Sequence, residues 1–483
     1  MRSGSERTDL WRAFRTYDPF LSGRFARICV VALLKNERTS HEVPTAQRIV
    51  VDEAKIIVNT HRVARLCFWG IMVCAPLALV YTGYGLVLLF RGATGLPDDF
   101  MRRWREERYV LARTDPYDVL FTEEGKAGGH PPTLHFRQVE QDPKIGALDT
   151  IGYPPWTYFT GIFLHSLPPP WGRLQYGLAN VLALVSIALW VIKQTPQISL
   201  VSAHWFLPLT VLGTMPFWCT LAYGQYGVLL LALVAWSVSL SEMGWSVPAG
   251  VLMGMAMLKP SFTLPFGLLL VCRRNWRAVA VAVTYVLIGG LLVCDLTHTP
   301  PETFLLQMQA DGARYVLDLP GVLKAVVVVG KVPLRVAMPG LILTFLIATG
   351  FWIIWMGDRA STQDRLAIAG LAARLFTYHR PYDDLLVVFL CVALTVRWMK
   401  RQTAPLTIGM AGVGLSLWLP LGFGWKWPFA ASQHLCWMLG AIVLTGDILQ
   451  ALPGLVDTSV HNGRQCSSSQ TKQSSAICSE PAP

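Results

Sequence analysis

Residues 67–90 read CFWGIMVCAPLALVYTGYGLVLLF, twenty-four positions without a charge. A run of this kind leaves the chain little freedom. The hydrocarbon core of a bilayer is ~30 Å thick, and ~20 helical residues cross it. No water inside it satisfies the backbone, so the segment must close its own hydrogen bonds as a helix. Apolar runs recur near 172–192, 201–222, 225–241, 277–296, 336–356, 366–377, 384–398, 405–423 and 431–450. The expected fold class is therefore all-α, a polytopic membrane helical bundle of about ten to thirteen helices, half-helices and re-entrant pieces included. Of the 483 residues 53% are hydrophobic and 15% charged, well below the ~25% charged of soluble chains.

Two apolar stretches do not fit an unbroken span. Residues 246–271 are interrupted by Lys259-Pro260-Ser261. A proline inside a helix removes a backbone donor, and a lysine at mid-bilayer is costly, so two half-helices are expected to meet there. The segment YPPWTYFTGIFLHSLP (153–168) is bounded by prolines, and its apolar part is too short to cross upright. It is expected to be re-entrant. Flanking the spans are a polar cytoplasmic arm at 1–66 and, at 457–483, a Ser/Gln-rich cytoplasmic tail that is expected to be disordered. The membrane domain is 67–456, with a long loop at 91–152. The polar, basic start predicts no cleavable signal peptide.

The net charge of +11 sits in short clusters between apolar runs, which points to topology and away from nucleic acid. RRNWR (273–277) and RWMKR (397–401) contain no acid, and the arm is also basic. Placing all three on the cytoplasmic side satisfies the positive-inside rule. The N-terminus is then cytoplasmic, and the protein is a multi-pass component of the cell membrane. The loop 91–152, Tyr153, YGQYG (223–227), Lys259 and YHRPYDD (378–384) fall together on the opposite face. The ten cysteines form no CxxC pair, so neither zinc nor a disulfide framework is indicated.

Several polar residues admit two readings. Adjacent helical residues point about 100° apart, so Asp98 and Asp99 cannot share one target. If Asp98 caps the helix that follows, Asp99 is free to act as a general base on a hydroxyl. Phe100, Trp104, Tyr109 and Leu111 predict that this helix lies along the membrane interface. Lys259 either snorkels to the interface or neutralises a phosphate. Gln225 either caps a helix or serves a site, and Asp383 either pairs with Arg380 or is functional. Asp384 is expected to cap the helix after it. No Asp-x-Asp is present, so no metal site is expected and no cofactor is required.

Taken in order, these elements resemble glycosyltransferase family 87. Asp99-Phe100 follows the first span, and DPYDV (115–119) follows a helix. YPP opens the short helix, Gly224-Gln225 opens a span, and Lys259-Pro260 breaks a helix ahead of a basic Trp stretch. HRPYDD (379–384) opens a late span, although the family more often has Ser-Pro ahead of Trp and His there. The resemblance implies a C-type multi-pass architecture with a long first extracytoplasmic loop. It implies transfer of a sugar, mannose as first guess, from a polyprenyl-phosphate donor to a glycan or glycolipid acceptor in the cell envelope, with inversion. Asp99 is the implied base, with Asp98 beside it. Tyr117, Tyr153, Gln225, Lys259, His379, Arg380 and Asp383 are the implied substrate-binding set. A transporter or flippase, or a family member that only binds lipid, remains the alternative.

Overall fold

The computed structural model describes residues 45–91, 98–120, 144–145, 153–194, 201–318, 325–376, 381–418 and 429–450. Among them every regular element is a helix and no strand occurs. The chain is an all-α polytopic membrane bundle.

Helix α1 (Thr45–Arg91) is continuous from the arm into the first apolar run, and its part Phe68–Arg91 is long and apolar enough to cross a bilayer. The same holds for α4 (Pro169–Lys193), α10 (Trp276–Thr297) and the stretch Pro339–Arg359, most of which belongs to α12 (Leu334–Met356). Between α1 and α4 lie α2 (Asp99–Leu111) and α3 (Pro155–Leu164). Ten residues of α3 rise ~15 Å, about half the hydrocarbon thickness, so it cannot span.

Prolines set the breaks in the middle of the chain. Helices α5 (Val201–Leu212) and α6 (Met215–Tyr223) meet at a 50° bend just before Pro216. Pro216 sits in the first turn of α6, where its missing N–H costs nothing, but it cannot continue α5. Helix α7 (Gly227–Glu242) follows. The run 246–271 divides as expected into α8 (Ser246–Ala256) and α9 (Pro260–Cys272), with Lys259 at the break. Gly250 and Gly254 of α8 let it close on α10: a Cβ would come within 2.5 Å of the Ala278 carbonyl oxygen at the first and 2.7 Å of Tyr285 at the second.

The second half adds α11 (Pro301–Asp318), α13 (Thr362–Phe376), α14 (Val388–Arg401), α15 (Ala404–Trp418) and α16 (Phe429–Gln450). Arg397 binds Asp364 at 2.7 and 2.9 Å and Asp447 at 2.5 Å, tying α13, α14 and α16 together. Large apolar side chains such as Leu79, Leu182, Phe351 and Ile408 stand exposed, which in this class is the lipid-facing surface.

Candidate functional site

The polar residues meet where four chain breaks converge. The first is the start of α2. Asp98 caps it, its carboxylate accepting from the Met101 N–H at 3.1 Å and from Arg173. Arg173 reaches on to the Leu89 carbonyl at 2.5 Å, so Asp98 pins the loop back onto α1 and α4. Asp99 is the first helical residue, only 3% exposed. One of its carboxylate oxygens accepts from the Gln225 side-chain amide, the other from Arg102 at 3.2 Å. Gln225 therefore serves Asp99 and caps nothing.

The second break is the turn between α6 and α7. Gly224 takes a φ of +70°, and its missing side chain lets Phe100 pack directly on the turn. The third is the α8–α9 break. Trp156 and Thr157 of α3 donate to the carbonyls of Met257 and Leu258, each at 2.9 Å, docking the YPP element beside Lys259. The fourth is the 3₁₀ turn Pro381–Val387 before α14. Its Tyr382 carbonyl accepts from Thr220 at 3.3 Å, and its Asp383 accepts from the Lys259 ammonium at 2.5 Å. Asp383 is 3% exposed.

Tyr153 links the two halves. Its ring carries the Arg103 guanidinium at 4.2 Å and packs edge-on against Tyr226 at 6.0 Å. Burial pushes its hydroxyl well above the ordinary range against the pull of Arg103, and the negative charges of both Asp99 and Asp383 raise it further. Asp99, Gln225, Tyr153, Lys259 and Asp383 thus form one cluster at one end of the bundle.

Other expectations are corrected. Lys259 is held by Asp383 and is not simply snorkelling. Asp384 lies inside the 3₁₀ turn and binds Arg374 at 2.6 Å, so it does not cap α14. Phe100, Trp104 and Tyr109 face the protein and are buried, leaving only Leu111 of that set exposed. Trp104 donates to the Leu167 carbonyl at 2.9 Å, and Phe100 packs against both His165 and Tyr176. Tyr117 is fully buried and donates to the Tyr153 carbonyl at 3.1 Å, so it reaches the cluster through Tyr153. Its N–H donates to Asp115 at 2.9 Å. Asp115 is pushed up to about 7 by burial and by Asp118, against hydrogen bonds from Tyr117 and Thr299. His379 and Arg380 lie outside the described residues. Among the described residues no three His, Cys, Asp or Glu side chains group as metal ligands.

Sequence reasoning missed a second layer beneath Asp99. Arg103 binds Glu106 at 2.5 Å, and Glu107 binds the His165 Nδ1 at 3.0 Å and accepts from the Tyr226 hydroxyl at 3.3 Å. All five of these side chains are buried. Burial raises the Glu107 carboxyl, and His165 opposes that shift. A Cβ at Gly161 would stand 2.0 Å from the Glu107 oxygen, so only glycine leaves room for this pair. The signal in the sequence is RWREER (103–108), a charge run too dense for a surface resting on lipid.

No curated protein and no solved structure matches the chain. The model of glycosyltransferase family 87 matches residues 151–377. That stretch holds Tyr153, Gln225 and Lys259, while Asp99 and Asp383 fall on either side of it. Over residues 151–377 the chain is similar to glycosyltransferase family 87, and that match indicates a glycosyltransferase.

Proposed function

We propose that the protein moves a sugar, mannose before others, from a polyprenyl-phosphate carrier to a hydroxyl of a lipid-linked or cell-surface glycan. The reaction takes place on the non-cytoplasmic face and inverts the anomeric centre. One observation carries this reading: Asp99 and the Lys259–Asp383 pair stand in a single cluster around Tyr153.

Asp99 is the general base. A carboxylate offers about four lone-pair sites, and Gln225 and Arg102 occupy two, so each oxygen keeps one for an incoming hydroxyl. The acceptor oxygen forms its bond to the sugar C1 as the C1–O bond to phosphate breaks. The bonding pair leaves on the phosphate, and the hydroxyl proton passes to Asp99 and then to water. Phosphate is already a good leaving group and needs positive charge more than a proton. Lys259 has three N–H bonds and gives one to Asp383, leaving others for a phosphate oxygen. His379 and Arg380 are assigned to the same phosphate on the family resemblance alone.

The transporter alternative relies on isolated charges in mid-membrane. Asp447 is held by Arg397 and Arg401, and Asp295 is exposed near the end of α10, so neither supports it.

The test is incubation of the purified protein in nanodiscs with a set of polyprenyl-phosphate sugars, with mass spectrometry of the lipid products. Asp99→Asn is expected to lower turnover ~10²–10⁴-fold with folding and donor binding retained. Wild-type turnover in that variant rejects Asp99 as the base. Absence of transfer from every donor in the wild type rejects the donor class.

A further inference from the structure

A second site lies at the far end of the same helices. Helix α7 begins beside Gln225 and α9 begins beside Lys259; both run away from the cluster to a cavity of about 720 Å³ at their C-terminal ends. Sixteen residues of α7 put ~24 Å between the two places. The volume is that of a small-molecule pocket.

Three arginines line the cavity, Arg273, Arg274 and Arg365, against the acids Glu242 and Asp358, leaving one positive charge in excess. Glu242 is already engaged, one of its carboxylate oxygens accepting from both Arg273 and Thr362. Asp358 is exposed on a 3₁₀ turn, where solvent screens its charge. Arg273 is held below its ordinary pKa by burial first, and also by repulsion from Arg365, against the pull of Glu242. Its Nε–H is buried and has no acceptor. A buried guanidinium donor without a partner, beside a second guanidinium that repels it, is an arrangement that an anion relieves. The N-terminus of α10 opens on the same cavity through Asn275, adding the positive end of a helix dipole.

The rim identifies the anion. Ile353 and Ile354 of α12 form one wall; Ile354 and the neighbouring Trp355 are exposed, as is Trp276 at the start of α10. Exposed Trp at helix ends marks the membrane–water boundary. The cavity therefore opens where lipid headgroups lie, with acyl chains able to run along α12.

We propose that this cavity binds the phosphodiester headgroup of an anionic membrane phospholipid, with Arg273, Arg274 and Arg365 as its phosphate ligands. The shared chemistry is a phosphate oxygen on a guanidinium fork, and the apolar rim selects a lipid over free phosphate. The site is independent of the sugar-transfer cluster.

The experiment titrates phosphatidylglycerol, phosphatidylcholine and inorganic phosphate separately into the full chain in detergent. Lipid adducts are read by native mass spectrometry and thermal stability by melting. Phosphatidylglycerol is expected to bind and raise the melting temperature, phosphatidylcholine to do neither, and inorganic phosphate to compete only weakly. Arg274→Gln, at an exposed position, keeps the fold and is expected to weaken phosphatidylglycerol binding about tenfold, the loss of one charge-assisted bond. Arg365→Gln, which also donates to the Gly357 carbonyl at 2.8 Å, is expected to weaken it at least as much. Equal binding of the two lipids, or unchanged binding in Arg274→Gln, overturns the site. Full stabilisation by inorganic phosphate alone overturns its assignment to lipid.

Discussion

Gly224→Ala tests whether the turn between α6 and α7 places the candidate base. At φ +70° an alanine costs ~1–2 kcal/mol more than glycine. The added Cβ would meet Phe100 at 2.6 Å from its Cβ, 2.9 Å from its N and 3.1 Å from its Cα, where ordinary contacts begin at 3.4 Å. Two of these atoms are backbone and cannot rotate away, so the start of α2 must retreat by about 1 Å. Asp99 precedes Phe100 and moves with it, away from the Gln225 amide. A displacement of ~1 Å in a reacting group lowers turnover ~10²-fold, equivalent to about 3 kcal/mol of barrier. The fold loses only ~1–3 kcal/mol, within what a membrane bundle of this size tolerates. The assay is turnover in nanodiscs, with a thermal melt showing that the variant is folded. Turnover within about threefold of wild type in a folded Gly224→Ala protein would refute the reasoning. So would a Gly224→Ala/Asp99→Asn double variant that falls by the product of the two single effects, because residues acting through one group are not additive.

Lys259→Met removes the Lys259 ammonium from the buried Asp383 carboxylate, and a stability loss on the order of 3 kcal/mol is expected. Adding Asp383→Asn should restore most of it in a thermal melt; no recovery would reject the ion pair as a unit. The Asp115 carboxyl rises from its ordinary 3.8 to about 7 on folding, so the folded state holds a proton that the unfolded chain releases. Stability is then fully present below about pH 4, declines as pH rises toward about 7, and levels above that. Asp115→Asn keeps the acceptor for the Tyr117 N–H and should flatten this slope in melts across the range; a persistent slope would assign it to another group. Treatment with a chelator is expected to leave transfer unchanged, and loss of activity restored by a divalent cation would refute metal independence.

Much of the candidate site was legible because it sits where the chain breaks a rule. A lysine-proline pair cannot continue a helix in lipid, so Lys259 marked itself. Neighbouring aspartates diverge on a helix, so one could cap while the other turned to a different target; Asp98 makes the 3.1 Å cap bond, and Asp99 turns to Gln225 and Arg102. The burial of Phe100, Trp104 and Tyr109 was not legible. An apolar stripe beside a membrane meets either lipid or protein, and both accept it equally. Nor could the sequence join Glu107 to His165, which stand 58 positions apart and meet only because Gly161 leaves a gap.

Local chemistry alone determined that this chain crosses a membrane as helices, and where those helices break, because an unpaired backbone group in hydrocarbon has no alternative partner. Which broken ends meet was decided only by packing. Lys259 finds Asp383 across 124 residues, and Asp99 finds Gln225 across 126. No short-range rule carries that information: a buried charge requires an opposite partner but does not specify its address, and the address is set by how the whole bundle closes.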